Sequence, residues 1–203
     1  MIDPAPSLAD QIKARLVDQI ANGTLKPGDR LIELRIAKEF GTSQAPVREA
    51  LRALEASGLI AFRRNRGAVV RKVEREEIIE IYAVRAELEG FAVAQMARWG
   101  AAAPLAKLCD QMDAAVAKSD FALFADLNAR FHHSIVDAAS NATLLRLWET
   151  LDVQTRSIAN IRNDASNLPN AVRQHREIVA AVENGDSDLA RKLLVEHINS
   201  AVL

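Results

Sequence analysis

Apolar residues recur at helical spacing along most of the chain. Ile12, Leu16 and Ile20 fall on one face, which predicts a helix over about 7–22, capped by Ser7 and closed by Asn22-Gly23. Leu25-Lys-Pro-Gly-Asp-Arg-Leu31 predicts a turn and then a short extended piece. Residues 33–40 predict a second helix, stopped by Gly41. Val47, Leu51 and Leu54 predict a third, within residues 42–60. Thr42 or Ser43 suits its N-terminus, Pro46 sits in the first turn where its missing N–H costs nothing, and Gly58 ends it. The period then changes. Leu59-Ile-Ala-Phe62 and Ala68-Val-Val-Arg-Lys-Val73 predict two short strands, joined by the polar, cationic, glycine-ended tip Arg63-Arg-Asn-Arg-Gly67. Beyond Val73 the pattern is helical throughout, with helices expected near 75–98, 103–118, 120–139, 142–162, 168–184 and 186–201. The expected fold is therefore mainly α: a winged helix-turn-helix of three helices and a two-stranded wing, then an all-α antiparallel bundle of about six helices. The boundary falls near residues 72–76, giving domains at 1–73 and 74–203.

Composition supports this picture and charge divides it. Aromatic residues are 4% of a chain that is 49% hydrophobic, which favours packed helices. The net charge of −1 hides a split. Residues 1–75 carry 14 Lys and Arg against 9 Asp and Glu; residues 76–203 carry 12 against 18. Only the first part has the balance expected of a surface that meets phosphates. The single Cys109 excludes an internal disulfide and a cysteine-cluster metal site, and fits a reducing cytoplasm. No apolar run approaches ~18 residues, so no membrane contact is expected.

On the polar side of the third helix, Gln44, Arg48 and Arg52 form a row at i, i+4 and i+8. Such a row is either a solvated face or a set of donors for a major groove, where Arg reads guanine and Gln can read adenine. The wing tip weighs for the second reading, because three arginines in five residues repel each other without an anion nearby.

These residues carry a resemblance. The series Ile20-x-x-Gly23-x-Leu25-x-Pro27-Gly28-x-x-Leu31, Leu34-x-x-x-x-Glu39-Phe40-Gly41 and Ser43-x-x-Pro46-Val47-Arg48-Glu49-Ala50-Leu51-x-x-Leu54-x-x-x-Gly58-Leu59, with Gly67-x-x-Val70, resembles the N-terminal domain of the GntR family of bacterial transcription regulators. The remainder resembles the FCD effector domain of the FadR-like subgroup, through Arg85-x-x-Leu88-Glu89, Asn128-x-x-Phe131-His132, Asn141, His175 and His197. The resemblance implies a transcription regulator, expected to be a repressor, that binds double-stranded operator DNA and answers to a small effector; a metal with only neutral protein ligands would favour a carboxylate as that effector. The DNA-contacting set it implies, taken with the row and the tip, is Arg35, Ser43, Gln44, Pro46, Arg48, Arg52, Arg64, Asn65, Arg66 and Gly67. Gln44 departs from the arginine common in the family, which points to a shift from guanine toward adenine at one operator position. One winged helix reads a short half-site, so a homodimer is expected.

Four histidines remain. Asn128 and His132 share a helix face at i, i+4. His175 lies ten residues before Gly185 and His197 twelve after it, so two antiparallel helices would bring them to one level. The expected metal set is Asn128, His132, His175 and His197, suited to Zn²⁺, Ni²⁺ or Mn²⁺, and the resemblance implies the same, since FCD domains often hold a metal with three His and an Asp or Asn at these positions. His133, about a hundred degrees round the helix, is expected on the outer face. Arg85, Arg156 and Arg162 are candidates for the effector, Arg85 with Glu89 as a competing structural partner. Trp99 and Trp148 are expected as core or interface anchors. Two rivals stay open. A metal-dependent hydrolase would leave residues 1–73 without a role and finds no obvious general base; a DNA-binding protein with a purely structural metal would not respond to a metabolite.

Overall fold

The computed structural model describes residues 6–72, 74–100, 102–151 and 167–201. The chain divides into two compact units, Met1–Glu74 and Arg75–Leu203.

In the first unit, α1 (Leu8–Ala21) begins with a reciprocal cap. Ser7 Oγ accepts from the Asp10 N–H, and the Asp10 carboxylate accepts from the Ser7 N–H, both at 3.1 Å. The helices α2 (Glu33–Glu39) and α3 (Gln44–Ala56) follow, turned through Gly41 at φ +60°. Ser43 holds the N-cap position of α3, but its side chain makes no capping hydrogen bond. Val47, Ala50, Leu51 and Leu54 line one side of α3 and are buried with Ile12, Leu16, Ile36 and Ile60. The strands β2 (Ile60–Arg63) and β3 (Gly67–Val70) pair antiparallel, with Arg63 opposite Gly67 and Ile60 opposite Val70.

The expected two-stranded wing is one strand short. Arg30–Leu31, the predicted extended piece, pairs with β3 as β1, so the sheet order is β1-β3-β2. Two residues are too few for a period-2 pattern; the strand exists because β3 offers it a free edge. Gly28 N–H donates to the Val70 carbonyl and Val70 N–H to that of Asp29, both at 2.9 Å, which extends the join.

The second unit contains α4 (Arg75–Trp99), α5 (Ala103–Ala117), α6 (Phe121–Ala138), α7 (Ala142–Thr150), α8 (Leu168–Glu183) and α9 (Ser187–Ser200). The helix expected to reach residue 162 is described to Thr150; its remainder lies outside the described residues. Asp120, Asn141 and Asp186 cap α6, α7 and α9 through their side chains. Helix α9 packs along α4 and α8, α5 along α6 and α8, and α6 on α4. Gly90 permits the first of these: a Cβ there would sit 3.0 Å from Val195 Cγ2 and 3.3 Å from Arg191 Cγ. Tyr82, Met96, Leu105, Met112, Phe124, Phe131 and Ile135 are buried in the shared core. Trp148 joins them, whereas Trp99 is 57% exposed and is no part of it.

Candidate functional site

In the first unit the polar side of α3 faces solvent. Arg48 and Arg52 are exposed and Gln44 half-buried, opposite the buried apolar row. Arg48 is not loose. Its Nε donates to Glu33 Oε2 at 2.6 Å and its Nη2 to Gln44 Oε1 at 3.1 Å. Ser43 is exposed and Pro46 half-buried in the first turn. Arg35, exposed on α2, lines a cavity of about 430 Å³ with Gln19, Asp29, Arg30 and Glu39. At the wing tip Arg64, Asn65, Arg66 and Gly67 are all exposed. Asn65 (φ +65°) and Gly67 (φ +70°) are in the left-handed region that these two residue types tolerate. Arg30 Nε donates to the Arg66 carbonyl at 2.9 Å, bracing the tip from β1.

In the second unit three imidazoles converge from three helices: His132 from α6, His175 from α8 and His197 from α9. Each offers a ring nitrogen within 4.8 Å of the others, and all three are buried. The rings of His175 and His197 are 4.3 Å apart, and His132 stacks on His197 at 5.4 Å. Burial is the first cause of a lowered pKa in each, and the neighbouring imidazoles push His175 and His197 down further, so all three are neutral near pH 7. Neutral imidazoles have the lone pairs that a metal needs. Two of the rings are oriented from behind. His132 Nδ1 pairs with Glu89 Oε2 at 2.6 Å, and His197 Nδ1 with Gln174 Oε1 at 2.9 Å, which leaves Nε2 of each for the centre. Both nitrogens of His175 are buried with no hydrogen-bond partner among the described residues. The Ala171 carbonyl, one turn back, favours its protonated form but does not meet hydrogen-bond geometry. An orphaned imidazole costs free energy in a dry interior. A cation bound there would remove that cost, so the donor set fits a divalent transition metal. Asn128 is buried one turn before His132 on the same helix.

Glu89 is the group that spacing alone does not find. It is fully buried on α4, and its carboxylate serves three partners: Arg85 Nε at 2.5 Å, Trp148 Nε1 at 2.7 Å and His132 Nδ1 at 2.6 Å. Burial alone would raise its pKa, but the charges and hydrogen bonds of Arg85 and His132 outweigh it and hold the carboxyl down at about 2. The Arg85–Glu89 pair was visible at i, i+4; the links to His132 and Trp148 join positions 43 and 59 residues away. Arg85 is 3% exposed and engaged in this pair. Arg156 and Arg162 lie outside the described residues. His133, expected on the outer face, is half-buried and meets Trp148 in a T-shaped contact at 5.7 Å between centroids, because α7 covers that side of α6. Burial pushes the Cys109 thiol up to about 11, which suits a core residue. Among the described residues, no helix is long and apolar enough to cross a membrane.

The comparisons with known proteins agree on both units. Residues 8–70 match the family of bacterial regulatory proteins called the gntR family, and residues 80–200 match the FCD domain. The chain is 36% identical over 194 residues to the probable D-xylose utilization operon transcriptional repressor of Paenarthrobacter nicotinovorans, covering 95% of this chain and 86% of that protein. It is 27% identical to the gluconate operon transcriptional repressor of Bacillus licheniformis, covering 93% and 81%. The solved structure of E. coli McbR/YncC superposes with a TM-score of 0.80 at 26% identity, over 97% of this chain and 95% of that one.

Proposed function

Since the chain belongs to the GntR family of bacterial transcription regulators, in the branch with a C-terminal FCD domain, we propose that it is a metabolite-responsive repressor acting as a cytoplasmic homodimer. The family consists of DNA-binding regulators, not enzymes. The DNA-reading surface is the polar side of α3 with the tip of the wing. Arg48, Arg52 and Gln44 enter the major groove, with Ser43 and Pro46 at the helix start and Arg35 beside them; Arg64, Asn65, Arg66 and Gly67 follow the backbone or minor groove. A dimer presents two such surfaces to two half-sites.

The second unit binds the signal. His132, His175 and His197, with Asn128 as a fourth donor, hold a divalent metal such as Zn²⁺, Ni²⁺ or Mn²⁺. A metal with only neutral protein ligands keeps its full charge and takes an anion into its open positions. The ligand class is a small carboxylate. A relative named for a gluconate operon supports a polyhydroxy acid as one class of such carboxylates. Glu89 keeps His132 in the tautomer that turns Nε2 to the centre, and Gln174 does the same for His197. Binding shifts the population of dimer arrangements and lowers operator affinity by the coupling free energy between the two sites. The observation that carries this reading is His175, buried where two other imidazoles meet, with both ring nitrogens unpartnered among the described residues. A purely structural metal is the second reading, supported by Arg85 being already engaged with Glu89.

The test is a thermal-shift series on purified protein with a panel of sugar acids and simpler carboxylates, with and without EDTA, followed by anisotropy on operator DNA. A carboxylate that raises Tm and releases DNA only in the metal-loaded protein supports the reading. A large metal response with no carboxylate response selects the structural version, and no metal response rejects both.

A further inference from the structure

On the solvent side of α3, Arg48 is gripped from two directions, and the chemistry of the grip constrains what its neighbour offers. A guanidinium only donates. Gln44 must therefore turn its amide oxygen to Arg48 Nη2, at 3.1 Å, which leaves its NH₂ group to face elsewhere. Glu33, the first residue of α2, takes Arg48 Nε at 2.6 Å. With Nε and one Nη2 hydrogen engaged, three donors of the guanidinium remain, all on its terminal nitrogens.

From this geometry we infer that Glu33 is a specificity-determining residue: it positions Arg48 and, through Arg48, turns Gln44 so that this face offers only donors to the major groove. The inference rests on the reading of α3 as the recognition helix. Reading adenine bidentately needs an amide oxygen to accept from N6 while the amide nitrogen donates to N7. In Gln44 that oxygen is turned to Arg48, which holds the side chain out of the bidentate geometry. Its free NH₂ matches the acceptors O6 and N7 of guanine or O4 of thymine, whereas adenine offers N7 alone beside an N6 amine that is itself a donor. The operator then carries guanine opposite Arg48 and guanine or thymine, in place of adenine, opposite Gln44. Glu33 itself is poorly suited to touch DNA, since its carboxylate repels phosphates and its side chain is 29% exposed. It lowers affinity slightly and raises discrimination, a division seen where a repulsive group sharpens specificity.

The experiment is in vitro selection of bound sequences with the full-length protein, followed by anisotropy on the selected and on random duplexes. Wild type is compared with Glu33→Ala, Glu33→Gln, Gln44→Ala and Arg48→Ala, each first checked for an unchanged circular dichroism spectrum. Wild type is expected to select guanine or thymine at the position that Gln44→Ala flattens. Glu33→Ala should flatten the same position and the Arg48 position by about tenfold, with binding to random duplex unchanged or tighter. Glu33→Gln keeps an acceptor for Nε and should restore the wild-type profile, which a simple charge effect would not do. Adenine at the Gln44 position in wild type, or an unaltered profile in Glu33→Ala, overturns the inference. Arg48→Ala separates the two levels. If it binds the operator as wild type does, α3 is not the recognition helix and the inference falls with that reading. If it is defective while Glu33→Ala keeps its profile, only the positioning role fails.

Discussion

The two candidate sites are built in opposite ways. The row on α3 faces solvent, and its members lie on one helix of 13 residues, with Glu33 one contact away. The imidazole centre is buried, and its parts come from α4, α6, α8 and α9. On the surface, water stands in for any missing partner, so an exchange there changes what the surface recognises more than whether it folds. In the interior nothing stands in, so each group is tied to the stability of the whole bundle. On the function proposed above, a regulator would gain from this division, because its operator preference could change without disturbing the unit proposed to sense the signal.

The comparison is sharpest at Glu89. Glu89→Gln removes the charge that Glu89 sets against Arg85 and weakens the hold on His132, at an expected cost of about 3–5 kcal/mol. Denaturant unfolding of the metal-free protein measures it, and a cost under ~1 kcal/mol would show that the buried hub behaves like a surface pair. Next in size is Arg48→Ala. Operator affinity should fall by about 1–3 kcal/mol, with Tm and metal content unchanged. A parallel loss of metal would mean that the sites are not separate in the way described.

A third measurement uses pH. The three histidines have folded pKa values below their ordinary 6.5, so the unfolded chain binds protons more readily than the folded one. Their neutral burial is tolerated in full above pH 6.5, and stability is lost as pH falls below it toward the folded values. Tm of the metal-free protein should drop by several degrees between pH 7 and 5, and by less in His175→Phe. A flat profile breaks the account of a dry, neutral centre. Glu89 acts lower: its stabilisation is present above 4.5 and lost as pH falls toward 2. The smallest effect is expected at the first helix, where Ser7→Ala removes one half of a solvent-exposed capping box and costs ~1 kcal/mol, with operator base preference untouched.

What could be read along the chain was what lies close along it. The apolar period, the glycines at 23, 41, 58 and 185, and the cap at Ser7 place most of the described helices close to expectation; the exception is α7, which is described to Thr150 where the pattern predicted a helix to residue 162. The Arg48 row and the wing tip were legible for the same reason, since helical and hairpin spacing is local. Even the meeting of His175 and His197 followed from counting outward from Gly185, because two helices joined by a tight turn have a calculable register. The third strand was only an extended piece in sequence, since a strand of two residues is defined by its partner. Glu89 was visible only as the neighbour of Arg85, and Trp148 only as a bulky apolar residue.

The amino-acid sequence by itself determined the order of the elements, their apolar faces and the family, because each rests on spacing and local chemistry. Tertiary structure alone decided which polar groups share a desolvated space. It set Glu89 against His132 and Trp148, left His175 without a hydrogen-bond partner among the described residues, and set Arg48 against Glu33. The reason is that a hydrogen bond or an orphaned nitrogen depends on distances of a few tenths of an ångström between residues far apart in the chain, and only the packed helices set those distances.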